Sequence, residues 1–505
     1  MLSRIHTAST RGIDAVLINV EVDIQMRGLP GWNMVGLPEM AVKEAKDRVS
    51  GAIRNVGYSV PNRKTVINLS PGNLKKRGTH YDLPIAIAML SASDSCRADE
   101  SSKYLIAGEL SLTGSVIPIN GVLIMALKAI EEELDGIIIP AANAWEARYS
   151  GIKTVIPVRT LVEVVEFLNS GTVPLTEESP PIVVSKQHKI DFHEVKGQAF
   201  AKRGMEIAAA GNHNIALTGP PGTGKTMLAE RLPTILPPLT QLEALEVLKI
   251  QSWHGFLNWE GSLPKRRPFR APHHSASYAG LIGGGGNGMP QMGEISLAHG
   301  GVLFLDEMSE FRRDVLEVLR QPMESGHVRI VRSGMSISYP ADFMLVCAYN
   351  PCRCGFLTHP TKICTCSLPE IRRYKAKLSG PLLDRIDLHI EVGPPPHDSL
   401  IDSSREESSS NILERVLKAR GIQNERYYKP NANLSGREIS KLCKLGIDQR
   451  HLLKTAAKQQ SLSGRSIHRV LKVSRTIADL AGNDLIQTKH IAEALQFRPN
   501  SDDIV

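Results

Sequence analysis

Eight consecutive residues, Gly219, Pro220, Pro221, Gly222, Thr223, Gly224, Lys225 and Thr226, have the types and spacing of a phosphate cradle. The glycines let backbone N–H groups converge on oxygen anions. A helix opening near Lys225 would turn the positive end of its dipole toward them. Lys225 suits β- and γ-phosphates and Thr226 suits magnesium, so ATP and Mg2+ are the expected ligands. Downstream, the apolar run Leu303-Phe304-Leu305 ends in Asp306 and Glu307. Asp306 is expected in the magnesium shell, and Glu307 is expected to orient and deprotonate the attacking water. Asn350 follows another apolar run, Met344 to Ala348. It is placed either to position that water or simply to turn the chain before Pro351.

Other residues carry chemistry of their own. Cys352, Cys354, Cys364 and Cys366 form two C-x-C pairs, whose four thiolates would suit a structural zinc ion. The spacing departs from C-x2-C, and four reduced thiols are the alternative. Cys96, Cys347 and Cys443 read as small core residues. His273 and His274 precede a glycine run from Gly283 to Gly286, with Met289 and Met292 close by. That run lacks a Lys-Thr pair, so it reads as a flexible insert rather than a second phosphate site. The imidazoles read as polar loop residues or metal ligands. Val328 to Tyr339 alternates around a glycine and predicts a hairpin carrying Arg329 and Arg332.

These residues need a scaffold. The chain has 505 residues, enough for two or three domains, and a net charge of +8 that permits nucleic-acid binding without demanding it. No apolar run reaches membrane-spanning length and no signal peptide is legible, so a cytoplasmic chain with reduced cysteines is expected. Pro- and Ser-rich linkers at 173–189 and 393–410 divide the sequence into three parts. In the first, 1–172, strands are predicted at Ala15–Ile24, Thr65–Leu69, Ile137–Pro140 and Thr154–Val158, with helices at Asp82–Leu90 and Leu161–Leu168. The middle part, 190–392, carries strands at Asn214–Thr218, Gly301–Leu305 and Met344–Ala348. Ligands at their C-terminal ends give a doubly wound α/β plan. The last part, 411–505, is helical by period.

Dense signatures mark a resemblance: KGQAFAKRGMEIAAAGNHN, RPFRAPHHSAS, GEISLAHGGVLFLDEMSEF, NPCRCG and SGPLLDRIDLHIEV. The chain resembles AAA+ ATPases of the magnesium-chelatase-like branch, specifically the YifB/ComM family, over nearly its whole length. The resemblance implies a homo-hexameric ring with ATP at subunit interfaces and DNA, single-stranded or branched, as partner. It implies a helicase that drives branch migration in natural transformation or recombination. It marks Asn350 as sensor 1, Arg385 as an arginine finger acting on a neighbour's phosphate, and Arg465 as sensor 2, with Arg469 competing. It places the glycine-rich insert and the basic hairpin at the central pore.

Leu105 to Gly121 looks like part of the proteolytic domain of Lon, so a Lon-like (ribosomal S5-like) fold is expected for 1–172. Lon peptidases use a Ser–Lys dyad. Leu123 stands where the lysine would be, and Thr79-His80-Tyr81-Asp82 lacks the serine motif. An ATP-dependent protease and a chelatase-like protein remodeller are the competing readings.

Overall fold

The computed structural model describes residues 2–27, 29–174, 190–255, 264–285, 290–332, 335–378, 380–395, 406–460 and 462–499. Most of the first expected linker, the middle of the second, and Gly286 and Met289 of the glycine-rich insert lie outside them. Contacts divide the chain into two units. One is Met1–Ser185 with Gln241–Pro264; the other is Lys186–Thr240 with Lys265–Val505.

The first unit is built on a seven-stranded mixed sheet. Its order is Gly31–Val35, Lys64–Ser70, Asp14–Gln25, Leu2–Arg11, Tyr104–Ile106, Gly136–Pro140 and Val155–Val158. Leu2–Arg11 pairs antiparallel with Asp14–Gln25, in a register running from Leu2 opposite Asp23 to Arg11 opposite Asp14. The helix Asp82–Ala92 buries every residue, consistent with a run rich in Ile, Ala and Leu with a single charge. That charge, Asp82, is held by Arg48 through Nε at 2.6 Å and Nη2 at 2.9 Å.

The helix Gln241–His254 also belongs to this unit, although it falls inside the 190–392 block drawn from sequence. It buries Ala244, Val247, Leu248 and Ile250. Ser252 Oγ donates to the buried Glu146 carboxylate, and the Gly121 amide donates to the Ser252 carbonyl at 3.0 Å. Glu146 also accepts from the Leu123 amide at 3.0 Å and Asn143 Nδ2 at 3.1 Å, so its buried oxygens are satisfied.

The second unit carries a five-stranded parallel sheet in the order Phe269–Arg270, Val302–Leu305, Met344–Tyr349, Ile215–Thr218 and Leu388–Glu391. The first strand in the chain, Ile215–Thr218, lies between the fourth and the fifth, and every pair is parallel, so each connection crosses over, as in AAA+-like α/β cores. The C-terminal helices Ser409–Tyr427, Ile447–Gln459, Gly464–Leu480 and Thr488–Gln496 share its apolar core. Val416, Val473, Ile477 and Phe497 cluster with Met205, Ile215 and Ile390.

Gly283–Gly284 pairs antiparallel with Gln291–Met292 behind the helix Tyr278–Ile282, so this part of the expected flexible insert is ordered. Gly283, at φ +106°, sits so close to the Gln291 carbonyl that a Cβ would collide with it. The basic hairpin forms as predicted, with His327–Arg332 paired to Met335–Pro340. Among the described residues no helix is long and apolar enough to cross a membrane.

Candidate functional site

Three neighbouring strands deliver the predicted residues to one end of the parallel sheet. Thr218 lies opposite Tyr349, and Leu305 lies opposite Cys347. Gly219 and Asn350, the next residues on two of these strands, therefore leave the sheet side by side, and Asp306 leaves the third beside Ala348. Gly219 has no room for a side chain, since a Cβ would run into the Val392 carbonyl. Gly222 and Gly224 take φ of +78° and +89°, which bends the loop round to the helix Lys225–Arg231.

The loop encloses a cavity of about 430 Å³ lined by Pro221 to Met227, Asp306, Glu307 and Ala348 to Asn350. Lys225 is buried. Its ammonium donates to the Gly219 and Pro220 carbonyls at 2.7 and 2.8 Å and to Asn350 Oδ1 at 3.2 Å. Desolvation holds its pKa below the usual lysine value, and Asp306 opposes the shift. Thr226 Oγ1 donates to Asp306 Oδ2 at 2.8 Å, and the Glu307 amide donates to Asp306 Oδ1 at 3.0 Å. A hydroxyl and a carboxylate in contact are the donor set expected for a hard cation. Together with the glycine cradle they fit a magnesium nucleotide, which Lys225, Thr226 and Asp306 would hold.

Glu307 is a non-glycine residue at φ +49°, a conformation that costs on the order of 1–3 kcal/mol and is often found at functional sites. Its side chain is largely exposed, and its Oε2 lies 3.5 Å from His274 Nδ1. His274 also packs edge-on against Phe311. A second cavity of about 300 Å³ joins His273 and His274 to Thr226, Asp306 and Glu307. Sequence left His274 as a polar loop residue or metal ligand; the structure sets it beside the glutamate. The short edge strand Phe269–Arg270 just before it was the missed signal, because its loop emerges at the same end of the sheet.

The remaining predicted residues lie elsewhere in the second unit. Arg385 donates through Nε to Glu324 Oε1 at 3.0 Å and does not line the cavity. Asp384 and Asp387 of the same motif reach the C-terminal helices. Asp384 pairs with Arg469 at 3.2 Å, and Asp387 accepts from His213, which also bonds Thr476. Arg465 is exposed in the first turn of Gly464–Leu480, and Arg469, one turn on, is tied to both aspartates. Arg329 is exposed on the hairpin, with Nε bonded to Ser336. The four cysteines converge, each offering a sulfur within 4.8 Å of the others. They are the only group of three or more metal-capable side chains among the described residues.

Comparison with known proteins accounts for nearly the whole chain. Residues 191–400 match the family described as magnesium chelatase, subunit ChlI. Residues 20–143 match subunit ChlI of Mg-chelatase, and 406–498 match its C-terminal part. Competence protein ComM of Haemophilus influenzae is 44% identical over 98% of this chain and 97% of its own. YifB of Escherichia coli is 44% identical with the same coverage. The chain belongs to the YifB/ComM family. The magnesium-chelatase 67 kDa subunit of Heliobacterium mobile is 28% identical over 41% of this chain and 32% of its own. Membership in this magnesium-chelatase-like, AAA+ type family carries with it the use of ATP and Mg2+.

Proposed function

We propose that the chain is the subunit of a homo-hexameric ATPase ring that moves on DNA, a helicase for branch migration in natural transformation or recombination. The observation that carries this reading is the set Lys225, Thr226, Asp306, Glu307 and Asn350 around one cavity, in a chain 44% identical to a competence protein along nearly its full length. Lys225 and the cradle amides bind the nucleotide's phosphates, and Thr226 and Asp306 hold the cation. Bound magnesium supplies positive charge against the phosphate oxygens. The Glu307 carboxylate accepts the proton of the attacking water, His274 holds that carboxylate in place, and Asn350 orients the water. Arg385 reaches a neighbouring subunit's site after leaving Glu324. The exposed Arg329 favours a basic hairpin facing the DNA backbone.

The test is turnover of ATP by the full chain with and without forked DNA, alongside native mass spectrometry and strand displacement. Stimulation by branched DNA in a six-membered ring supports the reading. A ring that hydrolyses ATP yet neither responds to DNA nor displaces a strand sinks it.

The first unit's mixed sheet suits the Lon-like reading, and its residues argue against peptidase chemistry. Leu123 and Tyr81 are buried in the core, and His80 is half-buried with its Nε2 shielded from solvent, where a nucleophile would need to meet substrate. We read this unit as a structural or docking module. The chelatase-type remodeller is disfavoured by identity: 28% over 41% of this chain to a magnesium-chelatase 67 kDa subunit, against 44% over 98% to a competence protein.

A further inference from the structure

The segment after Asn350 folds back on itself through two C-x-C arms. Cys352 Sγ lies 3.4 Å from Cys354 Sγ and 3.6 Å from Cys364 Sγ, and the last two are 3.5 Å apart. A tetrahedron with metal–sulfur bonds of about 2.3 Å has edges of about 3.8 Å. A multi-iron cluster would need its irons and sulfides to sit between the thiolates, and sulfurs this close leave no space for them. Nor do the near-equal separations single out disulfide pairs, whose sulfurs sit about 2.05 Å apart.

The backbone is arranged around sulfur. The Gly355 amide donates to the Cys352 carbonyl at 3.0 Å, and the backbone N–H groups of Leu357 on Cys352 and of Phe356 and Thr365 on Cys354 favour the thiolates. The Cys366 amide points at Cys364 and the Cys354 amide at Cys366. Such N–H donors stabilise thiolates bound to a cation and fix ligand orientation. Gly355, at φ +82°, makes the reversal that closes the first arm.

We propose that Cys352, Cys354, Cys364 and Cys366 bind a single zinc ion, and that this ion braces the Asn350 loop against the phosphate loop. Cys352 is two residues beyond Asn350. At Gly355 a Cβ would stand 2.6 Å from Pro221 Cδ and 3.9 Å from Asn350 Cγ, so the metal loop packs directly on both. Without zinc the arms lose their common anchor, and Asn350 loses the support behind its contact with Lys225. The metal site stands on its own geometry; its effect on turnover rests on the ATPase reading.

The full chain, purified under reducing conditions without chelator, is assayed for metal by elemental mass spectrometry. One zinc per chain is expected, falling to background in a Cys364→Ser/Cys366→Ser variant whose circular dichroism matches the parent. Cobalt exchanged into the parent should show the visible bands of a tetrahedral tetrathiolate. Iron in place of zinc, an intact mass lighter by the hydrogens of two disulfides, zinc retained equally by the variant, or no metal after incubation with zinc would each overturn the site. Stripping zinc with a chelator should lower ATP turnover about ten- to a hundredfold, the scale of a misplaced reacting group, while a fluorescent ATP analogue binds within about twofold. Unchanged turnover after complete zinc loss overturns the brace. A zinc-loaded chain that never hydrolyses ATP would instead refute the ATPase reading and leave the metal result standing.

Discussion

Lys225 Nζ donates to Asn350 Oδ1 across 3.2 Å, joining the phosphate loop to the end of the neighbouring strand. The lysine's other bonds go to its own loop's carbonyls, so Asn350 is its link to the rest of the sheet. Replacing Lys225 by Ala removes a charged donor worth about 1.5–3 kcal/mol and should weaken ATP-analogue binding about 10- to 100-fold. Asn350→Ala should lower turnover while binding changes by less. Titration with a fluorescent nucleotide, next to phosphate release, separates the two.

Glu307→Gln should bind nucleotide and lose hydrolysis by about 10²- to 10⁴-fold, the usual share of a general base. His274→Ala leaves the carboxylate in place and removes its neighbour. Turnover should fall less than in Glu307→Gln, with KM nearly unchanged, and His274→Asn should recover part of it. A His274→Ala loss as deep as that of Glu307→Gln would mean that the imidazole itself handles the proton.

Arg385 is held by Glu324 in its own subunit. Under the proposed ring, Arg385→Ala should cut turnover by on the order of 10³-fold with nucleotide affinity kept. Glu324→Gln frees the guanidinium and should raise basal turnover. Loss of nucleotide binding in Arg385→Ala would place the finger elsewhere.

Two half-buried imidazoles, each with its Nε2 shielded from solvent, report on the two units' response to acid, one in each. Desolvation lowers His80 in the first unit to about 4, against a weaker hydrogen bond that the ring donates to the Ala8 carbonyl. Desolvation lowers His389 in the second to about 3, with Arg498 and Arg469 adding to it and Asp387 opposing. Their unfolded value is 6.5, so both states are neutral above that pH and the stability is complete. As pH falls through 6.5 only the unfolded chain takes up the proton, and stability is lost progressively down to the folded pKa. By pH 5 each should cost about 2 kcal/mol. Urea midpoints at pH 7 and pH 5 should differ less in His389→Gln than in the parent for the second unit's transition, with the first unit's shift unaffected.

The glycine loop, the acidic pair and the strand before Asn350 were legible because short apolar β runs ending in Gly, Asp or Asn mark strand ends. The strand Leu2–Arg11 was not, because its inward face carries Ser3, Thr7 and Ser9 among its apolar residues. Phe269–Arg270 is only two residues long and leaves no period to read. His274 escaped because its partner is 33 positions away in sequence and meets it only through the sheet order. Glycine count misled at Gly283–Gly284, where the missing side chain serves close backbone approach rather than freedom. The cysteine spacing showed four ligands, while the contact of Gly355 with Pro221 is a property of packing alone.

The helix Gln241–His254 has one more implication. The chain passes from the first unit to the second between Ser185 and Lys186, back again after Thr240, and over once more after Pro264. Neither unit can be released by cutting a single peptide bond. A truncation at the first linker would strand that helix with Val247, Leu248 and Ile250 uncovered, and the fragment called the motor would carry an orphaned piece of its neighbour's core. Trading one unit between relatives therefore means exchanging two separate stretches of gene.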